Sequence, residues 1–204
     1  VEGIDAEAGP QGMQRFEGKI APLPSLYDGK RAVAWMTRNI TRQHELQLRL
    51  KRLGETDQLT GLYNRHFFFD QYHQRVQGQP LTGLIMLDLD HFKLINDRYG
   101  HAIGDNVLRE FSTLLRQLCP LDGVVARLGG EEFAIWLPGM TGDKARALAE
   151  QIRCATEELV SGDGVRFTVS LALGISQSGE GVDALLQRTD LALYQAKHRG
   201  RNRV

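Results

Sequence analysis

No stretch of this 204-residue chain approaches the ~18 to 20 consecutive apolar residues of a membrane-spanning helix, so no transmembrane segment is expected. Net charge is equally scarce. Lys and Arg number 25 and Asp and Glu 25, which removes the broad basic field of a non-specific nucleic-acid or membrane binder. Only the tail Lys197-His198-Arg199-Gly200-Arg201-Asn202-Arg203 is locally basic. Cysteine is limited to Cys119 and Cys154, isolated and without metal-like spacing, so both read as reduced packing residues. The six histidines show no zinc-like spacing either. With neither an initiating Met nor a signal-like start, the sequence reads as an internal fragment, and its reduced cysteines point to the cytoplasm, the full-length protein being open to tethering at a membrane. Its length allows one full domain and a smaller module.

Against that plain background one run stands out: Arg127-Leu128-Gly129-Gly130-Glu131-Glu132-Phe133-Ala134-Ile135. Two glycines and two carboxylates interrupt an apolar stretch from Val124 to Leu137. Gly-Gly predicts a hairpin turn of type I′, whose two central residues both need φ > 0. Acids beside a turn are commonly solvated decoration, so their context decides.

That context includes a second acidic site. Leu84-Ile85-Met86-Leu87-Asp88-Leu89-Asp90 is an apolar run ending in two aspartates one residue apart. If the strand continues through them, both project to the same face. A carboxylate at the end of a buried strand is expensive unless solvated, paired or bound to a cation. Asp90 suits the N-cap of a helix starting near His91. Asp88 suits a metal, and magnesium takes hard oxygens, one or two of them carboxylates. A hairpin placing Glu131 beside Asp88 would let the two acids share an ion. Downstream, Asn96 and Asp105 suit either helix caps and turns or the reading of a guanine edge, since a carboxylate accepts from two N–H donors and an amide does both.

The blocks Asp57-Gln58-Leu59-Thr60-Gly61-Leu62-Tyr63-Asn64-Arg65, Asp88 to Asp97, Gly100-His101 through Gly104-Asp105, the Gly129-to-Phe133 signature, Asp190 to Lys197 and Gly200-Arg201-Asn202 follow one another in order. Together they resemble the GGDEF family of diguanylate cyclases across roughly residues 55–204. The resemblance implies condensation of two GTP to cyclic di-GMP and two pyrophosphates. Each 3′-hydroxyl would attack the α-phosphate of the other nucleotide, in a homodimer of two half-sites. It also implies roles: Asp88, Glu131 and the Leu89 carbonyl on Mg2+ (or Mn2+), and Glu132 near the reacting hydroxyl or a second ion. Asn96 and Asp105 would read guanine. Lys197 and Arg201 would hold the terminal phosphates with the N–H groups near His91, Phe92 and Lys93, and Gly129 and Gly130 would admit the nucleotide close to the backbone. Helix N-termini and forked basic side chains suit phosphate. Where the family often carries an inhibitory Arg-x-x-Asp, this chain reads Pro120-Leu121-Asp122-Gly123, so no inhibitory product site is expected. The other reading is a catalytically silent GTP- or cyclic di-GMP-binding module, whose usual mark is loss of signature acids that are present here.

The implied fold is α/β (α+β): a palm-like, ferredoxin-related nucleotide-cyclase fold with a mixed, mostly antiparallel sheet flanked by helices. Periodicity gives the order helix, strand, helices, hairpin, helix, strand, helix, with helices over Asp143–Leu159 and Val182–His198 and a strand over Val165–Ile175. Ahead of this domain, residues 1–17 read as irregular. Gly18–Pro24 and Arg31–Asn39 read as two strands around Tyr27-Asp28-Gly29-Lys30. Residues 1–40 resemble the C-terminal end of a PAS sensor, too short to close a core of its own. Residues 41–54 read as a linker helix, whose Leu46, Leu50 and Leu53 suit a short coiled coil.

Overall fold

The computed structural model describes residues 2–9, 12–27, 30–76, 82–177 and 180–204. They form two compact units, Val1–Gly54 and Glu55–Val204.

The first unit is an antiparallel sheet of β1 (Glu2–Gly9), β2 (Gly12–Tyr27) and β3 (Lys30–Asn39), followed by α1 (Thr41–Glu55). The Gly- and Glu-rich start is therefore a strand and not irregular, paired with β2 from Glu2↔Lys19 to Gly9↔Gly12. A strand without side-chain alternation forms when a neighbour supplies its hydrogen bonds, a signal that periodicity does not carry. The β2–β3 hairpin falls where expected, in the register Ile20↔Trp35 and Pro22↔Val33; Asp28 and Gly29 of its turn lie outside the described residues. Asn39 starts the helix, its Oδ1 accepting from the Thr41 N–H at 3.0 Å. The Thr41 hydroxyl accepts from the Arg15 N–H at 2.9 Å and so ties α1 to β2. None of the residues of α1 is buried.

The second unit follows the expected order with one short strand added. It comprises β4 (Tyr63–Asn64), α2 (Arg65–Val76), β5 (Thr82–Leu89), α3 (Phe92–Tyr99), α4 (His101–Leu118), β6 (Val124–Gly129), β7 (Glu132–Pro138), α5 (Gly142–Glu158), β8 (Val169–Ile175) and α6 (Val182–His198). The sheet order is β4-β6-β7-β5-β8. Every pairing is antiparallel except β4 with β6. The last strand starts at Val169, four residues later than expected, because Val165–Thr168 lead into it with only an isolated Val160↔Arg166 bridge.

β5 is an interior strand, between β7 and β8, with helices over both its faces, which explains an apolar run without alternation. Ile85, Leu87 and Leu89 share a core with Phe133, Ile135, Phe111, Leu115 and Ile152. Leu84 joins Ala134, Trp136, Phe68, Tyr72 and Leu185 on the other face. By strand alternation Asp88 belongs to the second face, where α6 packs. The last polar residue of β5 is thereby delivered to the end of the last helix. Among the described residues no helix is long and apolar enough to cross a membrane.

Candidate active site

The signature turn departs from its expected form. Arg127 pairs with Phe133 but Gly129 pairs with Glu132, so Leu128 is an extra residue and the register slips by one. The central pair of the turn is thus Gly130-Glu131 and not Gly129-Gly130. Of these two only Gly130 has positive φ, at +51°, while Gly129 sits in the bulge at +151°. Type I′ is excluded, since it needs positive φ at both central positions. Nothing lies within 4 Å of where a Cβ would project from either glycine. Their backbone angles favour glycine, and the space beside them is open.

The bulge sets the acids. Glu132 lies directly opposite Asp88 across the β5–β7 ladder, and the Leu89 N–H donates to the Glu131 carbonyl at 3.2 Å. Asp88, the Leu89 carbonyl, Glu131 and Glu132 therefore occupy one end of the sheet. Asp88 is 6% exposed. Its carboxylate meets the Lys197 ammonium at 2.6 Å, Oδ2 to Nζ. Burial pushes the Asp88 carboxyl above the ordinary carboxylate range, the Lys197 cation opposes that, and Glu131 and Glu132 add to the rise.

A buried carboxylate with two further acids at the same end of the sheet suits a divalent cation. Among the described residues no three or more His, Cys, Asp or Glu side chains form a metal-holding cluster. The donors on offer, Asp88, Glu131 and one carbonyl, leave room for phosphate and water oxygens, the balance magnesium prefers. Glu132 is exposed and lines a cleft of about 530 Å³ together with Arg65, Phe69, Asp183 and Asp190.

Asp90 does not cap α3. The N-cap is His91, at φ +58° and without a side-chain cap bond. Asp90, 4% exposed, instead accepts from Ser170 Oγ at 2.6 Å, Thr168 Oγ1 at 2.7 Å and the Asn202 N–H at 3.0 Å. A buried carboxylate satisfied by three donors is held too firmly to swing over a helix end. Beside it, His91, Phe92 and Lys93 stand at the start of α3, where first-turn N–H groups have no intrahelical acceptor. Asn96 lies further along α3, and its side chain packs so closely on α4 that a Cβ on Gly104 would run into Asn96 Oδ1. Gly104 thus holds Asn96 beside Asp105, the next residue of α4. Arg201 follows the end of α6, three residues after His198. The structure gathers Asp88, Leu89, Glu131, Glu132 and Lys197 at one point and pairs Asn96 with the Asp105 end of α4.

Sequence reading assigned no role to Arg127, the first residue of the quoted run. Its Nε and Nη2 donate to the Gly130 carbonyl at 2.9 and 2.7 Å, and its Nη1 contacts Asp57 Oδ1 at 3.1 Å. Asp57 also accepts from the Thr60 N–H and hydroxyl at 2.9 and 2.7 Å. The domain entrance is clamped to the signature turn through one guanidinium. An arginine two residues before Gly-Gly, with an acid in the entrance block, was the available signal.

Burial works against the Asp57 charge, but Thr60 and Arg127 outweigh it and hold the carboxyl below its ordinary range. The unfolded chain then takes up this proton first as acid is added. The clamp's stabilisation is complete above roughly pH 4 and is lost as pH falls through the folded value. Asp57→Asn should therefore lower the melting temperature at pH 7 and lose less of it between pH 7 and pH 3 than the parent. Equal acid sensitivity in the two proteins would contradict the clamp.

Comparison with known proteins converges on one family. The sequence profile described as "Diguanylate cyclase, GGDEF domain" matches residues 55–203. Diguanylate cyclase DgcM of Escherichia coli is 36% identical over 206 residues, covering 98% of this chain and 48% of its own. Diguanylate cyclase VdcA of Vibrio cholerae is 39% identical over 175 residues, covering 82% of this chain and 51% of its own. This chain spans about half the length of these curated relatives. Among solved structures, the coiled coil and GGDEF domain of DgcB from Caulobacter crescentus, crystallised with c-di-GMP, superposes with a TM-score of 0.74. It shares 31% sequence identity and covers 81% of this chain and 92% of its own.

Proposed function

Because the chain belongs to the GGDEF family of diguanylate cyclases, we propose that it condenses two GTP molecules to cyclic di-GMP in a Mg2+-dependent homodimer. The observation that carries this reading is the buried Asp88 carboxylate, opposite Glu132, beside the Glu131 turn and in contact with Lys197. Such a site calls for a cation, and Lys197 and Arg201 supply the basic side that a triphosphate needs.

In this reading Asp88, Glu131 and the Leu89 carbonyl hold the ion, and Mn2+ would suit the same oxygens. When bound, the ion neutralises phosphate charge and polarises the reacting centre. The chain's own groups do the rest. Asn96 and Asp105 accept and donate along the guanine edge. N–H groups of His91, Phe92 and Lys93 face the phosphates, with Lys197 and Arg201 beyond them. Gly129 and Gly130 leave the backbone open to the nucleotide, and Glu132 stands beside the attacking hydroxyl. The 3′-oxygen of one GTP bonds to the α-phosphorus of the other as pyrophosphate leaves, and the reciprocal attack closes the ring and releases the second pyrophosphate. One protomer holds one GTP, so two copies must meet, an arrangement that turns an encounter between substrates into a placed one. Residues 1–40 act in this proposal as the tail of a PAS-like sensor, and α1 as the linker that brings the copies together.

Incubation with GTP and Mg2+ should yield a product with the mass of cyclic di-GMP, and ATP should give none. Unchanged GTP, or equal consumption of ATP, would defeat the proposal.

Feedback through an Arg-x-x-Asp site should be absent. Pro120 and Gly123 take the two key positions, and the Gly123 N–H closes a turn on the Pro120 carbonyl at 2.9 Å. Turnover should show no non-competitive inhibition by added cyclic di-GMP; inhibition that GTP cannot reverse would contradict this.

A further inference from the structure

Asp90 was the acid with the least evident purpose, and its partners connect it to the other end of the chain. α6 closes with a Schellman turn: Gly200, at φ +113°, follows the C-cap Arg199, and the Arg201 N–H donates back to the Ala196 carbonyl at 3.1 Å. The next two residues are also left-handed, Arg201 at φ +62° and Asn202 at +45°. Non-glycine residues seldom adopt such angles, and two in succession need outside support.

Asp90 provides it. Its Oδ2 accepts the Asn202 N–H at 3.0 Å and the Thr168 hydroxyl at 2.7 Å, while Oδ1 accepts the Ser170 hydroxyl at 2.6 Å. Bonds to an ionised acceptor are the stronger kind, and burial preserves their strength. Asn202 is fixed on its other side as well, with Nδ2 donating to Glu157 Oε1 at 3.0 Å and Oδ1 accepting from Arg153 at 3.2 Å. Beyond it, the Leu171 N–H donates to the Arg203 carbonyl at 2.9 Å, which lays the tail along β8. The Arg201 backbone is thus pinned on both sides, one residue from Asp90's bond and one turn beyond Lys197. Asp90 itself lies two residues from Asp88, the carboxylate that Lys197 contacts.

We propose that Asp90 is a positioning residue for the phosphate-binding cations: through the Asn202 N–H it fixes where the α6 end presents Arg201 and Lys197 to the terminal phosphates. This rests on the phosphate role proposed above for those two residues. Asp90 touches no substrate atom in this account. It sets affinity for the β- and γ-phosphates and leaves guanine recognition by Asn96 and Asp105 untouched.

The test compares a non-reacting α,β-methylene analogue of GTP with GMP, each titrated calorimetrically into the full chain with Mg2+. The parent should prefer the triphosphate. Asp90→Asn should weaken the triphosphate by ~10-fold or more, the scale of one charge-assisted bond, and change GMP by less than about twofold. Equal weakening of both ligands would mean a merely structural role and overturn the inference, as would no change in either. Arg201→Ala separates this failure from that of the underlying reading. If Arg201→Ala keeps the triphosphate preference, the phosphate reading falls and this inference with it. If Arg201→Ala loses the preference and Asp90→Asn keeps it, this inference alone is overturned. Should Asp90→Asn not fold, Thr168→Val removes one of the three donors, and an unchanged preference there overturns the inference equally.

Discussion

Asp88→Asn reduces turnover by more than ~100-fold, the scale at which even outer partners of a catalytic metal matter, while the protein melts no lower than its parent. The two halves of this expectation come from the same geometry. Asp88 lies at the end of the interior strand β5 with its side chain 9% exposed, opposite Glu132 and next to the Glu131 turn. Burial and the two neighbouring acids lift its carboxyl above the ordinary range in spite of Lys197. A carboxyl whose folded value is raised loses its proton first in the unfolded chain, so its contribution to stability falls as pH rises from roughly 4 through the folded value. At neutral pH the native state carries an unfavourable charge, and an isosteric amide removes it. Sites that bind charge are commonly built at such a cost to stability. Glu131→Ala should match the loss of turnover, since the contact that fixes this turn to β5 is made by the Glu131 carbonyl, which the substitution leaves in place. Parent-like turnover in either variant would remove that residue from the ion, and a large fall in melting temperature for Asp88→Asn would mean the site is not frustrated as described.

The second large effect concerns association. Leu46, Leu48, Leu50 and Leu53 are 50, 43, 67 and 49% exposed, and none of the residues of α1 is buried. A helix packed on its own domain would hide one face. Leu46, Leu50 and Leu53 recur at the spacing of a two-helix seam, and burying a leucine stabilises by roughly 1.5 to 3 kcal/mol. Replacing Leu46 and Leu50 together by Gln should therefore weaken dimerisation by at least ~100-fold. Specific turnover at low protein concentration should collapse, and return as concentration is raised. Light scattering should show the same shift toward monomer. Parent-like turnover from a demonstrably monomeric variant would contradict a shared active site.

The contrast between these residues shows where the sequence was legible. Helices and strands of the second unit follow from periodicity because β5 and its helices form continuous cores on both faces of one sheet. Asp88 was legible for the same reason: an acid closing an apolar strand has few physical excuses. The register of the signature turn was not, because the Leu128 bulge depends on how β6 meets β7 and changes no residue type. Asp90 was read as a cap since capping is a local habit of Asp, whereas its actual donors, Thr168, Ser170 and Asn202, lie 78 to 112 residues away. Arg127 stayed silent for a similar reason, its acid being Asp57 at a separation of 70 residues. The strand Glu2–Gly9 was missed because its hydrogen bonds go to β2 and leave no mark on side-chain pattern.

One measurement reaches the central claim most directly, that two half-sites exchange reciprocal attacks. The protein is given Mg2+ with equal amounts of GTP and 3′-deoxy-GTP, which carries an α-phosphate but no 3′ nucleophile. The account predicts, beside the cyclic di-GMP made by pairs of GTP, a linear dinucleotide from each mixed pair, the 3′-oxygen of GTP joined to the α-phosphorus of the deoxy analogue with one pyrophosphate released and no ring closed. Pyrophosphate released without any dinucleotide would show water as the nucleophile and contradict it.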